Sequence, residues 1–307
     1  MKSDNGKAAS VKSRTFDGVS KNDLGFFQVD VKPSEKELQD YYASKYYQEA
    51  KGSYELEYSK EELQHFRTKL EQRWSVVRDR FSQPGLMLDV GCGEGYALSF
   101  FDELGWDVKG LDFSSQGILS KNPHCAEKFV AGDVFQLLDK EREMGASYDV
   151  VWLQNVLEHV IDPVGLMKTL HGLMKPEGVL IVTVPNDFSN LQFAAMDQGH
   201  IDRSFWVALP DHLSYFSLES LKNIGTATGW RSLEVLGDFP IDWFLFHPAS
   251  NYVQDPSAGK PAHHARVAIE NLIGERPMAD IVSFYSALAK IGMGRDLTIF
   301  YTLEHNN

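Results

Sequence analysis

Only two cysteines, Cys92 and Cys125, occur in 307 residues. They are too few for a disulfide framework or a four-thiolate zinc site, and they suit a reducing compartment, with the cytoplasm as the default. Long hydrophobic runs are also missing. The longest strongly apolar stretch, Gly178 to Val184, is far too short to cross a bilayer and reads as a buried strand, so a soluble chain with no membrane partner is expected. Basic charge is scarce: 30 lysines and arginines stand against 43 acidic residues, a net charge of −13. That is a poor background for attraction to phosphate backbones, so nucleic acid is not the expected partner. No internal repeat or low-complexity tract is apparent. What remains, 43% hydrophobic and 24% charged side chains, suffices for a sizeable core in one large domain or a domain plus a cap.

Residues 1–22 are polar, carry lysines throughout and lack the apolar core of a secretory signal; they read as a disordered tail. Residues 23–85 read as a helical cap. Ser34 with Glu37 and Ser59 with Glu62 each have the spacing of a capping box that opens a helix. In the second helix Leu63, Phe66, Leu70, Trp74, Val77 and Phe81 follow a helical period and predict one packed face. Tyr41, Tyr42, Tyr46, Tyr47, Tyr54 and Tyr58 lie between, suited to packing of cap on domain or to facing a ligand. Across 86–236 short apolar runs alternate with helical patterns, the texture of a parallel sheet with crossover helices. Strands are expected near 86–90, 108–111, 128–131, 149–153, 179–184 and 231–236, with a last strand in 296–307. Two long excursions, 186–216 and 237–295, interrupt the pattern, and the second reads as an insert on the substrate side.

The sharpest motif is Leu88-Asp89-Val90-Gly91-Cys92-Gly93-Glu94-Gly95-Tyr96, where the first core strand turns into a helix. Its glycines permit positive backbone torsions and close approach of a ligand to the main chain. A dinucleotide fingerprint needs its third glycine where this chain has Tyr96, which weighs against a nicotinamide-dependent oxidoreductase. The second strand ends in Asp112-Phe113, placing a carboxylate where a ribose diol could donate to it, or where it could cap the next helix. The third ends in Asp133-Val134, a carboxylate suited to accept from an exocyclic amine or to cap a helix, two compatible roles. The fourth runs into Gln154-Asn155-Val156-Leu157-Glu158-His159. Four strand ends thus converge on one crevice, the place where open α/β sheets bind ligands.

In motif order these segments resemble the class I S-adenosylmethionine-dependent methyltransferases, over about residues 86–236. The Leu-Glu-His ending and the run from Asp211 and His212 to Ser217 are similar to the subgroup of ubiquinone-type O-methyltransferases and surface-polysaccharide or sugar methyltransferases. The resemblance implies a Rossmann-like, doubly wound, seven-stranded α/β fold with S-adenosyl-L-methionine as cofactor. It implies that the glycine loop, Asp89 with Gly91, Gly93 and Gly95, packs against the methionine portion and ribose. Asp112 would hold the ribose hydroxyls, Phe113 would flank the adenine, and Asp133 with Val134 would take its amine edge. Gln154 would supply backbone contacts near the methionine end.

If the acceptor is a hydroxyl, its proton must leave, and histidine is the usual base. His159 and His212 are the candidate catalytic residues, His159 preferred as base and His212 for substrate contact. No metal site is expected: His247, His263 and His264 read as part of a solvated loop without a spaced carboxylate motif. Arg266, Arg276 and Arg295 could grip a phosphate or carboxylate of the acceptor, or serve as ordinary ion pairs. The expected function is methylation of a small polar acceptor at a hydroxyl of a sugar, nucleotide-sugar or related metabolite. A catalytically idle cofactor-binding regulator, or a methyltransferase of quinones, RNA or protein, stays open, as does the oligomeric state.

Overall fold

The computed structural model describes residues 16–34, 36–38, 41 and 57–304. The expected seven-stranded sheet is present: β3 (Leu86–Val90), β4 (Asp107–Asp112), β5 (Phe129–Ala131), β6 (Tyr148–Gln154), β7 (Met174–Pro185), β9 (Trp230–Gly237) and β10 (Asp296–Leu303). Their order is β5-β4-β3-β6-β7-β10-β9. The first five strands of that row pair in parallel, and β10 lies antiparallel between β7 and β9. The chain therefore leaves β3 toward β4 and later returns to its other side with β6, which opens a crevice at the carboxyl ends of β3, β4 and β6.

Helices cover both faces, because the inner strands are apolar on both sides: Met87, Leu88 and Val90 in β3, and Val150 to Leu153 in β6, are buried. One face carries Leu138, Leu166, Leu170 and Trp230; the other carries Phe100, Phe101, Trp106, Trp152 and Phe300. The helix α1 (Lys60–Val77) lies on the second face. Its capping box is closed as predicted, with Ser59 accepting from the Glu62 amide and Glu62 from the Ser59 amide at 2.9 Å. Trp74 and Phe81 stack edge-on against Trp106, which fixes the helix beside α2 (Tyr96–Glu103).

The packed face of α1 is wider than the expected stripe. Leu70 and Val77 are buried, Trp74 and Phe81 pack on the same core and Phe66 meets Tyr96, while Leu63 is 43% exposed; His65, Gln72 and Arg73 are buried as well. The cause is the helix's second neighbour, α8 (Gly259–Gly274), whose Glu270 contacts His65 and Lys69. His263 and His264 lie on α8, not in a solvated loop; His263 meets Glu62 of α1 at 3.1 Å. A further helix, α9 (Met278–Lys290), packs its Ile281, Tyr285 and Leu288 into the same core, so residues 237–295 also cover the sheet.

The first residues depart from expectation as well. Val19–Lys21 forms β1 and Phe27–Val29 forms β2, an antiparallel pair joined by β8 (Ser214–Tyr215) in a small second sheet. Residues 16–22 are thus not tail, and the segment from 23 is not wholly helical. Val19 and Val29 are buried with Trp206 and Tyr215, and the Phe16 ring meets Phe188 edge-on, so the first excursion supplies the apolar partner that these short strands lack locally. The capping bonds of Ser34 and Glu37 form. Tyr42, Tyr46, Tyr47 and Tyr54, and residues 1–15 of the expected tail, lie outside the described residues. Among the described residues no helix is long and apolar enough to cross a membrane.

Candidate functional site

A cleft of about 1240 Å³ opens along the carboxyl ends of β3, β4, β5 and β6 and gathers every cofactor-side residue expected from sequence: Asp89, Gly91, Gly93, Gly95, Asp112, Phe113, Asp133, Val134 and Gln154. It also gathers His159 and His212.

The glycine loop is held tight. Gly91, Gly93 and Gly95 have φ of 72°, 53° and 76°, a region open to glycine. The Gly91 and Cys92 amides both donate to the Leu111 carbonyl of β4, at 2.7 and 3.2 Å. A Cβ on Gly91 would stand 2.4 Å from Val156 Cγ2, so the loop has no room for a side chain there.

Asp112 ends β4 with its carboxylate against the loop: Oδ2 accepts from the Gly93 amide at 2.9 Å and Oδ1 from the Ser114 amide at 3.0 Å. The Phe113 amide acts on it as well, and the carboxylate's remaining accepting capacity faces the cleft. Burial raises its proton affinity. Asp89 lies beneath the loop, 3% exposed. Burial, and then the Asp112 charge, push its carboxyl well above the usual range.

At the far end Phe113 is 41% exposed and lines the cleft together with Phe135. Asp133 caps α4 (Val134–Glu143), accepting from the Gln136 amide at 3.0 Å, and still reaches the cleft. The capping role read from sequence is present, and the residue also lines the cleft.

The opposite end is charged. Gln154 Oε1 accepts from Arg73 Nη1 at 2.8 Å and from the Trp152 indole at 3.3 Å. Arg73 and Lys69, one helical turn apart on α1, face Asp238, which follows β9; Asp296 and Arg266 complete the lining. Burial opposes the Asp238 charge, yet Lys69 and Arg73 hold its pKa to about 2. Asp296 goes the other way, raised by burial and by the Asp238 charge. His65 beside them is driven to about 3 by burial and then by the Lys69 charge, so it stands neutral. Arg73, Lys69 and Phe135 were missed by sequence reasoning. The i, i+4, i+8 spacing of His65, Lys69 and Arg73 on one helical stripe is the signal that could have found them.

The histidines meet in the cleft. Their rings are 4.8 Å apart and nearly perpendicular. His159 Nδ1 lies 2.8 Å from the Asp211 carbonyl oxygen, which can only accept, so Nδ1 carries the proton and Nε2 the lone pair. His212 Nδ1 is 4.0 Å from Asp187 Oδ2. Glu158 is buried next to both, its donor atom and those of the two rings lying within 4.8 Å of one another. Burial lifts its pKa to about 8, so at neutral pH it holds a proton and the group is an acid–base cluster. Asn155, at φ 54°, turns the chain here and donates to Glu158 Oε1 at 3.2 Å.

Of the three arginines weighed for the acceptor, Arg266 reaches the cleft. Arg276 pairs with Glu275 on the surface, and Arg295 is held by Asp187 at 2.7 Å. Trp243, Phe244, Phe246 and Tyr252 lie outside the cleft lining, and Phe246 and Tyr252 pack with Leu245 and Val253.

A family model described as a methyltransferase domain matches residues 58–235. A ubiquinone biosynthesis O-methyltransferase of Paraburkholderia xenovorans is 29% identical over 170 residues, 54% of this chain and 70% of that protein. The protein of the same name from Burkholderia ambifaria is 30% identical over 165 residues, 52% of this chain and 68% of the relative. Among solved structures, a SAM dependent methyltransferase from Archaeoglobus fulgidus is 21% identical with a TM-score of 0.48, covering 77% of this chain and 96% of the other.

Proposed function

The chain belongs to the methyltransferase-domain family, and from that premise we propose that it methylates a hydroxyl of a small polar acceptor, a sugar, nucleotide-sugar or related metabolite, with S-adenosyl-L-methionine as methyl donor. The observation that carries this reading is the cleft itself, which joins a nucleoside-shaped end, a zwitterion-shaped end and an acid–base cluster between them.

The residues suit that cofactor. Asp112 presents a carboxylate to the ribose hydroxyls, Phe113 and Phe135 offer ring faces to adenine, and Asp133 is suited to accept from its amine. At the other end Arg73 and Lys69 suit a carboxylate, while Asp238 and Asp296 suit an ammonium, the two charges of an amino-acid tail. When bound, the cofactor supplies a methyl group activated by a sulfonium.

The chain's own residues would position the acceptor and take its proton. Holding two reactants in line is worth roughly 7 to 11 kcal/mol of barrier in favourable cases. The histidine pair provides the base, with a lone pair at His159 Nε2 already established by the Asp211 carbonyl. Beside the cofactor-side residues the cleft is lined by His159, Asp162, Asp211 and His212, polar groups that suit a polar acceptor. Arg266, from residues 237–295, also reaches the cleft, in keeping with a substrate-side role for that insert. Both cysteines are buried and free, which suits a reducing compartment, the cytoplasm.

Incubation with S-adenosylmethionine and a panel of hydroxylated sugars, nucleotide-sugars, catechols and quinols tests the reading through release of S-adenosylhomocysteine. Release with a sugar or nucleotide-sugar supports it, and release with quinols alone replaces the acceptor class. Cofactor binding without release from any acceptor favours the idle regulator.

A further inference from the structure

The two histidines are not equivalent, and the difference lies behind them. His159 Nδ1 meets the Asp211 carbonyl at 2.8 Å, and the Asp211 carboxylate, 27% exposed, stands 3.7 Å from the same nitrogen. His212 is backed by a buried carboxylate: Asp187 is 2% exposed, and its Oδ2 stands 4.0 Å from His212 Nδ1. We propose that Asp187 is a positioning residue for His212, fixing its Nδ1–H tautomer and pairing its charged form, so that His212 is the imidazole that takes the acceptor's proton. The inference rests on the methyl-transfer reading and reverses the roles first expected for the two histidines.

Asp187 is built into place from several sides. It directly follows β7 and Asn186; its amide donates to the Phe216 carbonyl at 3.1 Å, and the Asn186 side chain donates to the Gly294 carbonyl at 2.8 Å. Arg295 Nη1 donates to Oδ1 at 2.7 Å and the Gln192 side chain also donates to the carboxylate, whose Oδ2 lies on the histidine's side. Burial raises the Asp187 carboxyl and the Arg295 charge opposes that rise. Arg295 in turn is disfavoured by burial but held charged by Asp187, Asp242 and Asp296. One carboxylate thus serves a fixed cation on one side and an imidazole on the other.

The groups facing His212 are Asp187 after β7, Arg295 before β10, Glu158 and His159 after β6, the adjoining Asp211, and Tyr215 of β8, whose hydroxyl donates to the His212 carbonyl at 3.0 Å. Glu158 is protonated near neutrality and Arg295 is spoken for by Asp187. Of the two carboxylates beside the histidines, that of Asp187 is the buried one, and it favours the imidazolium of His212. A contact of this length in the free protein can tighten as the ring becomes charged.

The proton balance is simple. The acceptor O–H bond breaks with its proton going to His212 Nε2. The electron pair stays on oxygen and forms the O–CH3 bond, while the C–S bond of the methyl donor breaks with its pair to sulfur. Asp187 stays ionised throughout and pairs the imidazolium.

The test uses the full unliganded chain labelled with ¹⁵N-histidine, with His212 assigned by its absence in His212→Gln. Long-range ¹H–¹⁵N correlation reads tautomer and titration for each ring. The expected result is the Nδ1–H tautomer at His212. In Asp187→Asn its pKa drops by about one pH unit, a tenfold loss of proton affinity, and Asp187→Glu restores most of it. An Nε2–H tautomer in the parent protein, or a shift below about 0.2 in Asp187→Asn, overturns the proposal. Should Asp187→Asn not fold, the parent tautomer alone decides. Failure to bind S-adenosylmethionine, measured separately by calorimetry, sinks the methyl-transfer reading and leaves the titration result intact.

Discussion

Asp112 is the residue at which cofactor affinity and loop geometry meet, and replacing it separates the two. In Asp112→Ala the Gly93 and Ser114 amides lose their acceptor, at 2.9 and 3.0 Å, and the cleft loses the lone pairs assigned to two ribose hydroxyls. Hydrogen bonds to a charged partner contribute about 1.5 to 3 kcal/mol each. Losing two in the complex costs about 3 kcal/mol at the low end, roughly a 150-fold weakening of S-adenosylhomocysteine binding. Asp112→Asn is the sharper variant. Its single carbonyl oxygen can satisfy one backbone amide, while its NH2 faces the other donor or the ribose. Its affinity loss should fall short of that for alanine but exceed about tenfold, a loss of more than about 1.4 kcal/mol. Titration calorimetry with S-adenosylhomocysteine measures both, with thermal unfolding as a control for loop damage. If both variants bind within about threefold of the parent, under 1 kcal/mol, Asp112 does not hold the ribose.

Arg73→Met should weaken S-adenosylhomocysteine at least tenfold, by loss of a charge-assisted partner, yet leave 5′-methylthioadenosine unchanged because that compound lacks the amino-acid tail; equal losses for both would remove Arg73 from the methionine end. Glu158 gives a stability signature. Its folded pKa of about 8 lies above the ordinary carboxylate value, so the folded chain binds the extra proton and stability is fully present at low pH. It falls as pH rises through that window, by about 1.4 kcal/mol per unit. In Glu158→Gln this fall should vanish between pH 5 and pH 8 in urea unfolding; an unchanged pH slope would mean that Glu158 is ionised in the folded protein.

The parallel sheet and the cofactor end of the cleft were legible because their signals are local. Buried strands such as β3 and β6 carry continuous apolar runs, and the Gly91, Gly93 and Gly95 pattern reports a backbone that side chains cannot follow. The strand-end carboxylates Asp112 and Asp133 follow from the same alternation. The rest depends on distant partners. β1 and β2 hold three residues each, too short to show a period, and their apolar contacts come from Phe188, Trp206 and Tyr215 far along the chain. Lys69 and Arg73 lie off the apolar stripe of α1, and only the seating of the helix against Asp238 and α8 turns them inward. His212 and Asp187 are twenty-five positions apart, joined by an excursion with no regular pattern, so their approach to 4.0 Å had no signal in sequence.

The central claim is that this cleft holds S-adenosylmethionine. Titration calorimetry of the full chain with S-adenosylmethionine and, in parallel, with NAD tests it most directly. The account predicts saturable binding of S-adenosylmethionine at one site per chain and none of NAD. Binding of NAD without binding of S-adenosylmethionine would contradict it.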